Sequence, residues 1–338
     1  MKQVKVNDIL YVMDTEPYEI TEDTDASIIY VPEDSYDGYT EINSGLTLTK
    51  YNYNCIVVNV PDYVIEMEKL GSLIRTKVNV SSTSNATWLV GTISNVEEMY
   101  IDGVKLEEPV LKYTFSTDGV HSVDYKLTAK ETIADSQFSN RYSITEILLP
   151  DGVINIGSSA FDSIDSVTNL KLPSTVRTIG AGAFWNMSNL QTINIPEGIT
   201  IINENLFNNC QKLNNVIIPN TVTEIGRNTF NVCKGITTID IPNSVTTIKY
   251  NAFGQCSNLT SVTIGNGITS IGEQAFMNCS KLSSVTINAT TPPTGLNYST
   301  FSGNASGRKI YVPASAVDTY KAAEGWSTYA NDIEAIPT

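Results

Sequence analysis

Residues 236–258 read ITTIDIPNSVTTIKYNAFGQCSN, and the following residues, 259–281, read LTSVTIGNGITSIGEQAFMNCSK. Apolar side chains recur at the same places in both stretches, including a phenylalanine near the end. The same unit of 23 residues, with no insertion or deletion, begins at Ile144, Val167, Leu190, Leu213, Ile236, Leu259 and Leu282. We call these units coils 1 to 7. A constant period of this length predicts a solenoid, in which each unit forms one turn and packs on its neighbours.

Within each coil the apolar positions predict two short strands. Apolar residues one, four and six places into the coil, such as Ile236, Ile239 and Ile241, alternate as in a β-strand with one buried face. A proline then ends the strand in coils 1 to 5, and a second apolar pair such as Val245 and Ile248 predicts a second strand. We expect a short helical segment to follow and to carry a phenylalanine that stacks on its equivalents in other coils, namely Phe138, Phe161, Phe184, Phe207, Phe230, Phe253 and Phe276.

A single coil cannot fold alone. About seven buried apolar side chains contribute roughly 1.5–3 kcal/mol each, whereas ordering the backbone costs on the order of 1–2 kcal/mol per residue. Stacking supplies the missing burial, and both ends of the array need caps.

The pattern Leu-x-x-Ile-x-Ile-Pro-x-x-Val-x-x-Ile-Gly-x-x-Ala-Phe-x-x-Cys closely resembles the BspA-like leucine-rich repeats of bacterial surface proteins. The resemblance covers about 60% of the chain. It implies a mainly β fold with short helical segments, a leucine-rich-repeat solenoid whose parallel β-sheet forms a superhelix. Members of that family are mostly adhesion or binding proteins with diverse partners, so the resemblance is specific for the fold and much less so for function.

The array is expected to be capped at both ends. Residues 132–138 match the second half of a coil, and the strand with Val123, Tyr125 and Leu127 replaces the first half. Downstream the register breaks at 291–293, and residues 309–313 read as a last strand. We expect Ser315 to N-cap a helix that ends near Gly325 and Trp326, which resembles the C-terminal cap of the same family.

Residues 1–128 predict one or two β-sandwich modules rather than more coils. Short apolar alternations separated by Gly, Asn, Asp and Ser occur at 28–31, 46–49, 55–60, 74–80, 88–93, 110–115 and 120–127. Residues 113–127 resemble the last hairpin of a bacterial immunoglobulin-like module. The expected division is 1–70 for a β-rich module, 71–128 for a small immunoglobulin-like module, 129–288 for the solenoid and 289–338 for the cap.

Composition narrows the functional classes. The 338 residues carry a formal net charge of −15 and only 17% charged side chains, which disfavours nucleic acid as a partner because phosphate binding needs a basic surplus. No apolar stretch is long enough to cross a membrane. The basic start at Lys2 and Lys5 runs into Asp8 without an apolar segment, so no signal peptide is expected. Either a leader was removed, or the protein is exported or displayed without one, as a virion protein would be.

The residue types usual in catalysis and metal binding favour structural roles here. Cys210, Cys233, Cys256 and Cys279 recur at the coil period and share their slot with Ile164 and Met187, so buried free thiols are favoured over disulfides or metal ligands; Cys55 is also expected in a core. His121 is the only histidine, which leaves a zinc site or a His-based triad without support. The acidic cluster from Glu16 to Glu41 lacks EF-hand spacing, and a solvated face is favoured over calcium binding. No catalytic residue, metal or cofactor is therefore expected.

The outward positions of the first strands are the candidate binding residues. They tile one face of the expected parallel sheet, although Ser, Thr and Asn also suit a merely solvated sheet. The candidates are Asn169, Lys171, Thr192, Asn194, Asn215, Thr238, Asp240, Ser261 and Thr263. A second ladder of Thr200, Thr223, Thr246 and Thr269 gives weaker support to ice or glycan binding.

Three functional hypotheses remain. The first is a non-enzymatic recognition or adhesion protein displayed outside the cell, which binds an unidentified protein or glycan through the repeat sheet. The second is a structural or receptor-recognition protein of a bacteriophage virion. The third and least supported is a carbohydrate-active solenoid enzyme, which would require clustered Asp, Lys or Arg on one face instead of Ser, Thr and Asn.

Overall fold

The chain divides into two compact units, residues 1–71 and residues 72–338. A computed structural model describes the first unit by the backbone of five strands, and the second unit in full at residues 73–129 and 131–337. The acidic cluster from Glu16 to Glu41 and the side chain of Cys55 lie outside the described residues. The domain boundaries expected near residues 70, 128 and 288 stay predictions.

The first unit contains one five-stranded sheet in the order β1-β2-β3-β5-β4. Its strands are β1 (Lys2–Val6), β2 (Asp8–Val12), β3 (Ile28–Tyr30), β4 (Thr47–Tyr51) and β5 (Cys55–Asn59). The pairing is antiparallel except between β2 and β3. The last three strands fall on predicted alternations, whereas β1 and β2 were not predicted.

The second unit begins with six strands that precede the coils. They are β6 (Ile74–Val80), β7 (Thr87–Trp88), β8 (Val96–Ile101), β9 (Val104–Lys105), β10 (Lys112–Tyr113) and β11 (Gly119–Leu127). Strands β7 and β10 form a separate antiparallel pair. Strand β8 was missed because two glutamates interrupt its apolar alternation. The immunoglobulin-like interpretation of this region stays a prediction.

The first coil is joined directly to these strands. Its strand β13 (Ile144–Leu148) pairs antiparallel with β6, which gives a five-stranded sheet in the order β13-β6-β11-β8-β9. Ion pairs cross the outer face of this sheet: Arg75 binds Asp124 through two parallel hydrogen bonds, and Lys77 pairs with Glu146. In this sheet β6 lies between β13 of coil 1 and β11, the strand that carries Tyr125.

The first strands of the later coils form parallel sheets on one face. They are β15 (Asn169–Leu170), β17 (Thr192–Ile193), β20 (Thr238–Ile241), β22 (Ser261–Ile264) and β24 (Ser284–Ile287). Strands β20, β22 and β24 continue into the cap strands as one sheet, while β15 and β17 form a separate pair. Coil 4 contributes only an isolated bridge between Thr192 and Asn215. The strand predicted in every coil is therefore interrupted at coil 4.

The predicted second strands are confirmed as a parallel ladder on another side of each coil. They are β12 (Thr132–Ile133), β14 (Asn155–Ile156), β16 (Thr178–Ile179), β18 (Ile201–Ile202), β19 (Glu224–Ile225), β21 (Thr247–Ile248) and β23 (Ser270–Ile271). The ladder is divided between β16 and β18.

The predicted phenylalanine stack is confirmed and runs through the whole array. Consecutive rings from Phe138 to Phe301 lie 5.1 to 5.8 Å apart with interplanar angles of 2 to 14°. All of these rings are buried. Tyr125 packs edge-on against the first ring, and Tyr329 packs edge-on against the last. The stack is thus closed by an aromatic residue at each end.

The segment around each phenylalanine is a series of turns, so the predicted short helix is wrong. Two slots have a left-handed backbone in the half-coil before coil 1 and in coils 1 to 6, which interrupts right-handed helical geometry. The first slot holds Ser136, Ser159, Gly182, Asn205, Asn228, Asn251 and Gln274. The second holds Asn140, Ser163, Asn186, Asn209, Val232, Gln255 and Asn278. Asn is favoured there because its short polar side chain tolerates this conformation, and Val232 is the exception.

The C-terminal segment adds two strands and a short helix. Strand β25 (Lys309–Val312) pairs with β24, and β26 (Ile333–Ala335) pairs with β25. Helix α1 (Val317–Ala322) follows a 3₁₀ turn at Ala314–Ala316, and a second 3₁₀ turn covers Ser327–Tyr329.

The expected N-cap at Ser315 is wrong. Ser315 lies inside the 3₁₀ turn, and Ala316 precedes α1 without a side-chain capping bond. Trp326, expected near the end of the cap helix, is fully buried, and its indole N–H donates to the Pro293 carbonyl at 2.7 Å.

Candidate functional site

The sheet face of coils 2 to 6 carries all nine candidate residues predicted from the sequence. Ladder pairing places Asn169 beside Thr192, Thr238 beside Ser261 and Asp240 beside Thr263. Seven of the nine side chains are exposed, whereas Ser261 and Thr263 are half-buried. The face is therefore most accessible in coils 2 to 5.

Five of the nine candidates line one groove on this face. The groove has a volume of about 620 Å³ and spans coils 2 to 4. Its lining residues are Asn169, Leu170, Lys171, Thr192, Ile193, Asn194, Ile195, Asn215 and Ile217. The other four candidates, Thr238, Asp240, Ser261 and Thr263, lie on the regular sheet beyond it. The structure thus divides the predicted set into a concave part and a flat part.

The side chain of Asn194 explains why the strands separate at the groove. Its amide oxygen accepts a hydrogen bond from the Leu172 backbone N–H at 2.8 Å, and its amide nitrogen donates to the Leu172 carbonyl at 3.0 Å. The Asn194 side chain therefore occupies the Leu172 N–H and carbonyl, which a neighbouring strand would bond in a continuous ladder. The pairing of β15 with β17 ends at Leu170 and Ile193, directly before this insertion.

The polar rim of the groove is held by hydrogen bonds between coils. The Thr192 hydroxyl donates to Asn169 Oδ1 at 2.6 Å, and Asn169 Nδ2 donates to the Thr168 hydroxyl at 3.1 Å. Fixed side chains lose less rotamer freedom when a ligand binds, so this part of the rim is preorganised.

The floor and one wall of the groove are apolar. Leu170, Ile193 and Ile195 form buried parts of the lining, and Ile217 stands at an outward position with 73% of its surface exposed. Val216 is only half-buried, whereas the equivalent residues of the other coils are buried. The lining contains Lys171 but no carboxylate. This combination suits an apolar group of a ligand that is surrounded by hydrogen-bonding groups.

Sequence reasoning did not select Ile217 as a binding residue. Its signal was an apolar side chain at a position where the later coils carry Asp240, Thr263 and Thr286. A single exposed aliphatic side chain is common on protein surfaces and does not by itself indicate a binding site. Ile217 is a candidate binding residue because it lines the groove.

A second, smaller groove of about 450 Å³ lies along the second-strand ladder at β12, β14 and β16. Thr132, Asn155 and Thr178 form a hydrogen-bonded row in it, with side-chain distances of 3.2 and 2.6 Å. Asn203 Nδ2 donates to the Ile179 carbonyl of the preceding coil at 2.7 Å. At the equivalent positions of the adjacent coils, the backbone N–H groups of Gly180 and Gly226 make the corresponding bond. An inserted asparagine therefore also accompanies the break between β16 and β18.

The threonine ladder considered for ice or glycan binding uses its hydroxyl hydrogens internally. Thr223, Thr246 and Thr269 each donate to the carbonyl of the threonine one coil earlier, at 3.0 to 3.2 Å. These hydroxyls reinforce the stacking of coils, and only their acceptor capacity faces solvent.

The cysteines and the histidine have structural surroundings. The four ladder cysteines are free and fully buried, as predicted, and each thiol donates to a phenylalanine carbonyl of the preceding coil at 3.0 to 3.1 Å. Burial raises the pKa of the Cys210, Cys233 and Cys256 thiols. The His121 ring packs on Phe115 and bonds Asp102 Oδ2 at 2.7 Å, away from either groove.

The fold and the exposed sheet face define a repeat protein of the solenoid class. Residues 131–260 and 246–323 match six copies of the BspA type leucine-rich repeat region, which together cover more than half of the chain. The chain belongs to this family. No curated protein matches the sequence.

Solved structures of three bacterial proteins are similar to this chain. A leucine-rich repeat protein from Bacteroides ovatus ATCC 8483 is 24% identical with a TM-score of 0.41, over 61% of this chain and 57% of that one. The leucine-rich repeat protein of T. pallidum is 24% identical with a TM-score of 0.40, over 63% and 90%. A leucine-rich cell surface protein from Faecalibacterium prausnitzii A2-165 is 21% identical with a TM-score of 0.34, over 62% and 61%. The match thus spans little more than half of the Bacteroides ovatus chain.

Among the described residues, no helix combines the length and hydrophobicity needed to cross a bilayer. In the same part of the chain, no three His, Cys, Asp or Glu side chains are grouped as a metal site would require.

Proposed function

We propose that this protein is a non-enzymatic recognition protein that acts outside the cell and binds its partner through the sheet face of the solenoid. The observation that carries the proposal is the groove of coils 2 to 4. The regular coils form a rigid parallel sheet, and the Asn194 side chain interrupts the strand pairing at one place.

The apolar part of the groove favours a protein partner. Ile217 and the half-buried Val216 offer a surface that an aliphatic or aromatic side chain covers with a gain of roughly 25 cal/mol per Å² of apolar area removed from water. The amides of Asn169 and Asn215 and the hydroxyl of Thr192 then supply hydrogen bonds at the rim. A buried apolar centre with a polar rim is the usual arrangement of protein interfaces.

The repeat family and the similar solved structures support a location outside the cell and a role in recognition or adhesion. A BspA type repeat region is consistent with recognition or adhesion at a surface, and one similar structure is described as a cell surface protein. The groove lining consists of amide, hydroxyl and aliphatic groups with one lysine. The proposal therefore does not include catalysis.

The test is binding of the full chain to an array of extracellular matrix proteins and glycans, followed by substitution of the groove. Ile217→Glu places a charge at the apolar wall, and Thr192→Arg fills the rim. The matched control is Ile201→Glu, because Ile201 is an exposed isoleucine, 43% accessible, on the second-strand ladder.

We expect both groove variants to weaken binding at least tenfold while their melting curves stay within about 2 °C of the parent, since surface substitutions rarely change stability by more than about 0.5 kcal/mol. The control should bind normally. Equal loss in Ile201→Glu, or retained binding in both groove variants, contradicts the assignment to the groove.

A further inference from the structure

A cluster of two cations and an exposed tryptophan lies before the first coil. Trp88 in β7 faces Lys112 in β10 across the strand pair, and Lys112 Nζ is 3.9 Å from the centre of the indole ring. The guanidinium carbon of Arg141, on the segment that leads into coil 1, is 5.0 Å from the same centre. The indole is nevertheless 45% exposed. Three segments, spread over more than 50 residues of sequence, thus place two positive charges beside one aromatic ring.

Neither cation has a carboxylate partner among the described residues. The neighbouring sheet differs, because Arg75 is paired with Asp124 there and Lys126 with two glutamates. The Arg141 Nε atom is buried and has no hydrogen-bond partner in the described part of the chain. Burial also lowers the pKa of Arg141, as expected for a cation that lacks a counter-ion.

This arrangement leaves a positive charge without full compensation. Removing a guanidinium from water is costly unless it is paired. Cation–π contact with Trp88 offsets only a part of that cost. An anion that reaches both Lys112 and Arg141 completes the compensation, and carboxylates match guanidinium geometry well. The chain as a whole carries a net charge of −15, so these two cations stand against its overall acidic balance.

The apolar surroundings indicate the kind of molecule that carries the anion. Tyr142, the residue after Arg141 in the sequence, is 59% exposed, and Leu111, the residue before Lys112, is 37% exposed. A uronic acid residue has both matching surfaces in one unit, because the C–H groups of the pyranose ring pack on aromatic and aliphatic side chains while its carboxylate binds the cations. An aspartate or glutamate side chain of a peptide provides only the carboxylate.

We propose that Trp88, Lys112, Arg141 and Tyr142 form a binding site for an acidic polysaccharide whose sugar units carry carboxylates. The site lies on β7, β10 and the segment before β13, and shares no residue with the groove of coils 2 to 4. The protein then has two recognition surfaces, and the test of one is independent of the other.

The experiment is a calorimetric titration of the full chain with polygalacturonate. The double variant Lys112→Gln with Arg141→Gln removes both charges. Its matched control, Lys212→Gln with Lys234→Gln, removes two exposed lysines of coils 3 and 4 and changes the net charge equally. The conservative pair Lys112→Arg with Arg141→Lys keeps both charges.

We expect the parent, the control and the conservative pair to bind within twofold of one another, and the charge-removing pair to bind at least tenfold more weakly. Trp88→Ala should weaken binding, whereas Trp185→Ala should not, although both indoles are 45% exposed. Binding should fall as salt rises, because screening weakens exposed charge interactions. Methyl-esterified polygalacturonate, which lacks the charges, should not bind.

Several results overturn the proposal. If the parent does not bind polygalacturonate, the proposed site does not exist. If the Lys212→Gln and Lys234→Gln control weakens binding equally, the attraction depends only on the overall charge of the protein. Poly-L-glutamate that binds as tightly as polygalacturonate, with the same dependence on Lys112 and Arg141, assigns the site to acidic proteins instead. A melting curve for each variant separates loss of binding from loss of folding.

Discussion

Val232 is the residue of the solenoid whose replacement should increase stability. It occupies the second left-handed slot with φ of 64°, and six other coil segments place Asn, Ser or Gln in the same slot. A left-handed conformation costs an L-residue roughly 1–2 kcal/mol, and a β-branched residue is a genuine outlier there. The left-handed backbone is fixed by the adjacent coil, because the Val232 N–H donates to the Gly254 carbonyl at 2.9 Å.

Val232→Asn should therefore raise the free energy of unfolding by about 1 kcal/mol. Relief of strain contributes about 1–2 kcal/mol, and loss of the half-buried methyl groups subtracts a part of the roughly 0.8 kcal/mol per methylene typical of full burial. A new side-chain bond is also available, since in the preceding coils Asn186 donates to Ser163 and Asn209 donates to Asn186. For a unit of this size, 1 kcal/mol corresponds to a rise of about 2–4 °C in Tm.

The assay is urea denaturation of the full chain, followed by tryptophan fluorescence, which reports on the second unit because Trp88, Trp185 and Trp326 all lie in it. The reciprocal variant Asn209→Val creates the same conflict one coil earlier and should lower stability by about 1–2 kcal/mol. The reasoning is refuted if Val232→Asn is no more stable than the parent and Asn209→Val is no less stable.

Four further tests concern the core, the cap, the ladder cysteines and the single histidine. Phe230→Ala leaves a cavity in the ring stack and should cost about 3–5 kcal/mol in denaturant unfolding; a loss below about 1 kcal/mol would show that the neighbouring rings collapse into the space. Truncation after Asn288 exposes the apolar end of the array and should cause aggregation or a large loss of stability by light scattering and melting, whereas a soluble truncation that melts like the parent would contradict a capping role. The four ladder thiols should be unreactive in the native protein and appear on denaturation without reductant, and fewer than five thiols per denatured chain would reveal disulfides. Burial lowers the pKa of His121 but its hydrogen bonds to Asp102 and the Thr117 carbonyl raise it more, so NMR titration should give a value above 6.5 that falls in Asp102→Asn.

The sign of the His121 effect on stability follows from that direction. A folded-state pKa above the unfolded value means that the protonated ring is favoured in the folded protein. Its stabilising contribution is complete below the unfolded pKa and disappears as pH rises through the folded pKa. The parent should therefore lose a small part of its stability as pH rises from 6.5 through the folded-state pKa of His121, and Asp102→Asn should lose less over the same range.

The features that repeat could be predicted because each coil faces the same physical constraint. Apolar positions at a constant period determine which side chains lie inside, so the two strands, the ring stack and the cysteine ladder followed from the sequence. The turns around each phenylalanine were predicted as helix because a pattern of apolar residues does not report the sign of φ. The recurring Asn, Ser and Gln of the left-handed slots, such as Asn186 and Asn209, were the available signal.

The features that break the repeat could not be predicted in the same way, and they include the two candidate binding surfaces. In the sequence, Asn194 and Asn203 are ordinary polar residues. In the structure, their side-chain amides form hydrogen bonds with the backbone of Leu172 and Ile179 in place of a neighbouring strand. Whether a side chain inserts between coils depends on the spacing of the neighbouring backbone, which a single coil does not encode. Likewise Trp88 and Arg141 are 53 residues apart in the sequence, and their contact depends on tertiary packing that local sequence patterns do not report.

This division also suggests how such an array can acquire new partners. A substitution at an outward position of a regular coil leaves the core unchanged, because stability is close to a sum over coils and their interfaces. Only a few outward or loop residues need to change to open a groove, as Asn194 does beside Ile217. The cost in stability is local, since the interrupted ladders of coils 2 to 4 are followed by the complete sheet that starts at β20. Transplanting Asn194 into coil 6 as Thr263→Asn should therefore lower stability modestly, by about 1 kcal/mol for the disturbed ladder bonds, and a melting curve identical to the parent together with an unchanged amide exchange pattern at β22 would show that the asparagine alone does not open the strands.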